Sequence, residues 1–443
     1  MSGKIKKITA VFLAAVTAAG CTDIKNGAAV SSSVSVSEEE EVIAVGNEIA
    51  IIDEDDGMSV STESSDNADA PAPSDNADAP EPVDLTEAKE LFRESLEKSC
   101  KNHGVYGVTV ALFRDGDIIH TENYGYADVD LKLPATDNTR YRIASISKLI
   151  STILIMQLCE EGLMDRESYL TDVTGLPYDS PYGRVKLWHL LTHTAGLNDS
   201  QAYFTGMGTR YSTAYVLEQS HIGTEPGKSY NYTNFGAGTM GSIVEVLTGE
   251  FFHDYAQKAL FDPLGMDAAY IIDNIKDKES CAVIYDHDGE VFHVASWGRN
   301  KNYYESFGVG NSYLAAQCEL IITARDLARI GTALAGDGTV KECGGKRILS
   351  EKAVNAMHES YFSTENFDMG LNVRRYDGNL VPGRVIYGHP GNALGAINGI
   401  YYDRTDRTGI VILDNRCGLA VNSGNGVYSF LDEVVKEAYK DFF

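Results

Sequence analysis

Arg142-Ile143-Ala144-Ser145-Ile146-Ser147-Lys148 runs straight into Leu149 to Leu158, a segment that is apolar nearly all round. Such a segment predicts a buried helix, and Gly162 beyond it offers a place to stop. Ser145 then stands at the helix start with Lys148 three residues on, so both side chains share one face. The spacing brings an amine within reach of a hydroxyl, and the helix N-terminus favours negative charge developing on that oxygen. An ordinary lysine amine stays protonated near neutral pH, so a basic role for Lys148 requires burial or a neighbouring cation. Ser-x-x-Lys recurs by chance in many chains. A lysine leading directly into a fully apolar helix, however, is poorly placed for the surface.

Two later stretches supply partners. Pro226-Gly227-Lys228-Ser229-Tyr230-Asn231-Tyr232-Thr233-Asn234 is a Pro-Gly turn delivering a short polar segment ahead of a helix expected from Phe235 to Leu247. Tyr232 and Asn234, two residues apart, fall on the same side of an extended loop. A phenol beside a cation can relay a proton, and an amide can hold both Lys148 and a substrate carbonyl. Tyr387-Gly388-His389-Pro390-Gly391-Asn392-Ala393-Leu394-Gly395 precedes a further strand. Its glycines let a substrate backbone lie close. The Asn392 N–H, paired with that of Ser145, would form an oxyanion hole.

In this order, Ser-x-x-Lys, Tyr-x-Asn and His-x-Gly resemble the three motifs of the serine β-lactamase and penicillin-binding protein superfamily. Spacing and flanks are most similar to the class C β-lactamase branch, with its D-Ala-D-Ala carboxypeptidase and esterase relatives. Leu190-Leu191-Thr192-His193-Thr194-Ala195-Gly196-Leu197, Pro263-Leu264-Gly265-Met266 and Thr323-Ala324-Arg325-Asp326-Leu327-Ala328 agree with it. The resemblance covers roughly residues 86–440. It implies a serine hydrolase that forms an acyl-Ser145 intermediate without cofactor or metal. Lys148 and Tyr232 would move protons, Asn234 would orient, His389 and Gly391 would shape the substrate wall, and the Ser145 and Asn392 amides would bind the oxyanion. D-amino-acid peptides are the expected substrates, with esters and β-lactams as alternatives. A non-catalytic penicillin- or wall-binding protein is the rival of another class.

Two departures bear on substrate choice. The usual Lys-Thr-Gly is here His389-Pro390-Gly391, and a histidine is only partly charged near neutrality. Where relatives often carry Gly-Gly, this chain has Cys318-Glu319, which puts a bulky acidic group near the expected rim of the site.

Around these motifs the pattern is α+β. Leu85 to Lys98 reads as a helix, and strands are expected at Val105–Phe113 and Ile118–Tyr124 around the turn Asp115-Gly116-Asp117. Helical patterning fills about Ser145 to Ala335. Strands return at Val385–Gly388, Gly395–Tyr402 and Thr408–Asp414, and Asn425–Phe443 reads as a closing helix. One antiparallel sheet built from both ends of the chain and flanked by helices, with an inserted all-α subdomain, follows; the site would lie in the crevice between them.

The N-terminus reads as an address. Lys4, Lys6 and Lys7, the apolar run Ile8–Val16 and Ala18-Ala19-Gly20 before Cys21 resemble a lipoprotein signal over residues 1–20, with Cys21 lipidated. The expected location is the outer face of a bacterial membrane. Residues 21–84 read as a disordered acidic tether: residues 28–84 hold 16 acidic residues and no Lys or Arg, out of a chain net charge of −27. No basic surface for nucleic acid is present. Residues 85–443 form the hydrolase domain. Six further cysteines are scattered, and their pairing is open. His189 and His193 are four apart with no Glu between them, which argues against zinc and for a structural role.

Overall fold

The structure, a computed structural model, describes residues 85–291 and 300–443. The expected signal segment, Cys21 and the acidic tether lie outside the described residues.

The first helix, Leu85–His103, has Glu87 in its first turn and Lys101 and His103 in its last, matching the helix dipole at both ends. Phe92, Leu96 and Cys100 recur at four-residue intervals and are buried. The chain then forms the hairpin Gly107–Arg114 and Asp117–Asp128. Asp115 and Gly116 join them with φ of 50° and 88°, the left-handed pair that suits a tight hairpin.

The two ends of the chain meet in the sheet. Strand Gly107–Arg114 pairs antiparallel with Thr408–Asp414, Val108 opposite Asp414 and Arg114 opposite Thr408. Beyond it lie Ala396–Asp403, Val385–Ala393 and Arg374–Asp377, and short strands complete nine in one antiparallel sheet.

Both faces are covered. Val108, Val110, Leu112, Ile410 and Ile412 pack with Phe92, Phe430 and Leu431 beneath the first and last helices. The alternate residues Ala111, Phe113, Val411 and Leu413 join the larger core on the opposite face. Burial on both sides is why Thr408–Asp414 is buried at every position.

The region between carries Ile146–Glu160 and Asn234–Thr248 among shorter helices. The helical patterning from about Ser145 to Ala335 ends in a helix, Ala324–Ala335, that belongs to the sheet rather than to the inserted region. It lies there because Leu327, Ile330 and Leu334 pack into the core that Phe113 and Val411 enter. Among the described residues, no helix is long and apolar enough to cross a membrane.

Candidate active site

Ser145 sits at the N-terminal boundary of the helix Ile146–Glu160. Ala144 before it has a φ of 50°, left-handed for a residue with a side chain, which costs about 1–2 kcal/mol. Strain of that kind persists only where the surroundings enforce it. Here the enforcing neighbour is the strand Val385–Ala393. A Cβ on Gly391 would lie 2.4 Å from the Ile143 carbonyl oxygen and 3.4 Å from the Ala144 Cβ. The glycine was expected to make room for substrate; that space is instead taken by the chain's own turn leading into Ser145.

Lys148 is fully buried. Its Nζ lies 2.9 Å from Ser145 Oγ, 2.9 Å from Asn234 Oδ1 and 3.1 Å from the Gln317 carbonyl oxygen. The three contacts are a hydroxyl, a carboxamide oxygen and a peptide carbonyl. The Tyr232 hydroxyl lies 2.8 Å from the same Ser145 Oγ, and Lys148 Nζ is 5.1 Å from the Tyr232 ring centroid. Four side chains expected to share a site, Ser145, Lys148, Tyr232 and Asn234, are thus in one hydrogen-bonded cluster.

The surroundings fix these groups. The His193 ring lies 4.4 Å from that of Tyr232, tilted by 34°. Burial first of all, with the Arg374 guanidinium adding to it, holds the His193 imidazole well below its ordinary pKa, so it stays neutral. Gln317, whose carbonyl meets Lys148, is buried and bonded through its side chain to the Tyr203 hydroxyl. Asn234 accepts from Lys148 through Oδ1, and its Nδ2 donates to Asp199 Oδ2 at 3.1 Å. One of the two amide hydrogens is therefore committed to Asp199, which leaves the other for a substrate carbonyl.

Two other expectations change. His389 is buried, its Nδ1 2.6 Å from the Pro390 carbonyl oxygen, and burial followed by Arg374 and Lys148 drives its pKa well below the ordinary value. It is neutral rather than partly charged. Glu319 is not on a rim: its side chain is 2% exposed and its Oε1 is 2.7 Å from Arg142 Nη2. A carboxylate buried beside a guanidinium is spent on that pair. Asn392 follows Gly391 on the strand, and its side chain donates to the Tyr428 hydroxyl at 2.8 Å.

Asp199, Gln317 and Arg374 were not legible in the sequence. Gln317 contributes through its backbone, which no side-chain pattern signals. Arg374 lies on the short strand Arg374–Asp377, opposite Gly388. Its Nη1 donates to the Gly426 carbonyl at 3.3 Å and its guanidinium carbon sits 4.3 Å from the Phe367 ring centroid. Among the described residues its charge is offset by no carboxylate; its electrostatic neighbours are the phenols of Tyr230, Tyr232 and Tyr376. Burial pushes the Tyr230 phenol up to about 12, so it too is neutral near pH 7.

A family profile described as Beta-lactamase matches residues 88–424. Penicillin-binding protein 4 of Amycolatopsis lactamdurans is 26% identical over 354 residues, covering 77% of this chain and 87% of that protein. The next curated relatives match over 36–46% of their own length. A class C beta-lactamase structure superposes with a TM-score of 0.63 at 19% identity, over 82% of this chain and 98% of that one. EstCE1, a hydrolase with promiscuous acyltransferase activity, superposes with a TM-score of 0.62 at 18% identity, over 80% and 99%. These two show a shared fold. With most of the described residues inside the family match, the chain belongs to the beta-lactamase family, within the serine β-lactamase and penicillin-binding protein superfamily of hydrolases.

Proposed function

We propose that this chain is a cell-surface serine hydrolase that acylates Ser145 with peptides of D-amino acids ending in a free carboxylate. The observation that carries the reading is the approach of both Lys148 Nζ and the Tyr232 hydroxyl to within 2.9 Å of one serine oxygen. A neutral amine at Lys148 has two N–H bonds and one lone pair. The Asn234 and Gln317 oxygens accept the former, which leaves the lone pair for the Ser145 proton. Ser145 Oγ then attacks the scissile carbonyl carbon while its proton passes to Lys148. The oxyanion is met by the Ser145 and Asn392 N–H groups. Tyr232 carries a proton to the leaving amine as the C–N bond breaks. Water then attacks the acyl ester by the reverse relay and frees Ser145.

Arg374 supports the carboxylate preference. A guanidinium without a carboxylate partner, beside two neutral imidazoles, leaves a positive charge for ligand to neutralise. It replaces the charge that the third motif lacks at His389. Arg374→Ala is expected to raise KM for carboxylate-terminated peptides by about 10–100-fold, the size of a lost charge-assisted hydrogen bond. Simple esters without a carboxylate should change less than twofold. An equal effect on both substrate types would remove the carboxylate from the reading.

The membrane location rests on the Lys4–Lys7 cluster, the apolar run and Ala18-Ala19-Gly20-Cys21. The decisive measurement for the activity is intact-protein mass after exposure to D-peptides, nitrophenyl esters and β-lactams. An adduct on Ser145, absent from Ser145→Ala, is expected. A long-lived β-lactam adduct without turnover of any substrate would instead mark a binding protein.

A further inference from the structure

Asp199 touches none of the reacting atoms, yet its carboxylate accepts four hydrogen bonds from the segment that carries Asn234. Oδ1 takes the Thr233 hydroxyl at 2.7 Å and the Phe235 N–H at 2.7 Å. Oδ2 takes the Asn234 backbone N–H and the Asn234 side-chain Nδ2, each at 3.1 Å. The donors lie at the first turn of the helix Asn234–Thr248, where backbone N–H groups lack helical partners and an anion is favoured.

A carboxamide has two unlike ends of nearly the same shape, and only its partners decide which end faces which way. A carboxylate only accepts. The end of Asn234 that meets Asp199 must therefore be the NH2, and the end that meets Lys148 must be the oxygen, 2.9 Å from Nζ. The flipped amide would set oxygen against carboxylate, losing that bond, and would turn its NH2 toward the amine, where it would occupy the lone pair that Ser145 needs. With Asn234 Oδ1 and the Gln317 carbonyl holding two N–H bonds of a neutral Lys148, the lone pair has one direction left, toward Ser145.

We infer that Asp199 is a positioning residue: by fixing the orientation of the Asn234 carboxamide it aims the Lys148 lone pair at Ser145. The inference rests on the reading of Lys148 as the base. Asp199→Asn keeps the shape but offers Asn234 an oxygen or an NH2, so the amide is no longer fixed.

The test uses the full chain and two readouts. With selective 15N-asparagine labelling, the Asn234 side-chain NH2 resonance, assigned through its loss in Asn234→Asp, is expected to shift in Asp199→Asn as its carboxylate partner disappears. With the substrate that acylates wild-type Ser145, kcat is expected to fall about 10–100-fold, the scale of a small misplacement of a reacting group, with KM within twofold. An unmoved resonance overturns the inference, as does kcat within twofold of wild type. So does a loss spread equally over kcat and KM together with a lowered melting temperature, the mark of a general structural defect. A shifted resonance in a protein that never acylates Ser145 would uphold the orientation and remove the functional reading instead.

Discussion

Lys148→Ala is expected to slow acylation of Ser145 by about 10³–10⁴-fold while KM for the same substrate changes less than threefold. The amine is the only nitrogen base within hydrogen-bond distance of Ser145 Oγ among the described residues; the other neighbour, Tyr232, is a phenol. His193 and His389 are held neutral by burial and by the Arg374 guanidinium, and each is turned elsewhere. His193 lies on the Tyr232 ring, and His389 Nδ1 meets the Pro390 carbonyl. Neither replaces the lost base. The variant also leaves Asn234 Oδ1 and the Gln317 carbonyl without a donor, at a cost of about 1–3 kcal/mol. A protein of this size tolerates that loss, so the variant should fold. Stopped-flow acylation and thermal melting separate the two effects, and near-normal acylation would take Lys148 out of the reaction.

Gly391→Ala should cost about 100-fold in the same rate for a steric reason. The added carbon would lie 2.4 Å from the Ile143 oxygen and 3.3 Å from Ile146 Cγ1. Carbon does not approach a carbonyl oxygen that closely, so strand or turn must shift by roughly 1 Å, and displacement on that scale can cost about 100-fold. The turn leads directly into Ser145, and the strand supplies Asn392. Overpacking of this kind also lowers stability by about 1–3 kcal/mol. Gly399→Ala provides the control: its Cβ would meet Tyr401 and Leu431 instead of the turn before Ser145. It should lose comparable stability and keep most of the rate. Equal losses of rate in both variants would show that Gly391 has no special bearing on the site.

Sequence patterning located the elements that are long and strongly patterned. Thr408–Asp414 matches its expected bounds, and the hairpin about Asp115-Gly116 forms where its turn residues place it. The closing helix begins at Ser429 rather than Asn425, because Gly424 and Gly426 adopt φ of 87° and 80° in a turn that no helix accommodates. Arg374–Asp377 and its neighbours Asp368–Met369 and Phe362–Ser363 were invisible, being too short to show a two-residue alternation. The site divides similarly. Motifs within one segment exposed Ser145 and Lys148, and Tyr232 and Asn234. Asp199 and Arg374 reach the cluster from separate segments, through contacts that only the folded chain creates.

The pairing that joins the two ends of the chain in the sheet sets residues 108–114 against 408–414. During synthesis the serine and its lysine leave the ribosome more than two hundred residues before the strand that abuts their turn. Until Val385–Ala393 arrives, Ala144 lacks the strand that abuts its left-handed backbone. Truncation before Thr408 is therefore expected to yield a polypeptide that does not close its sheet and, on the proposed function, does not acylate Ser145.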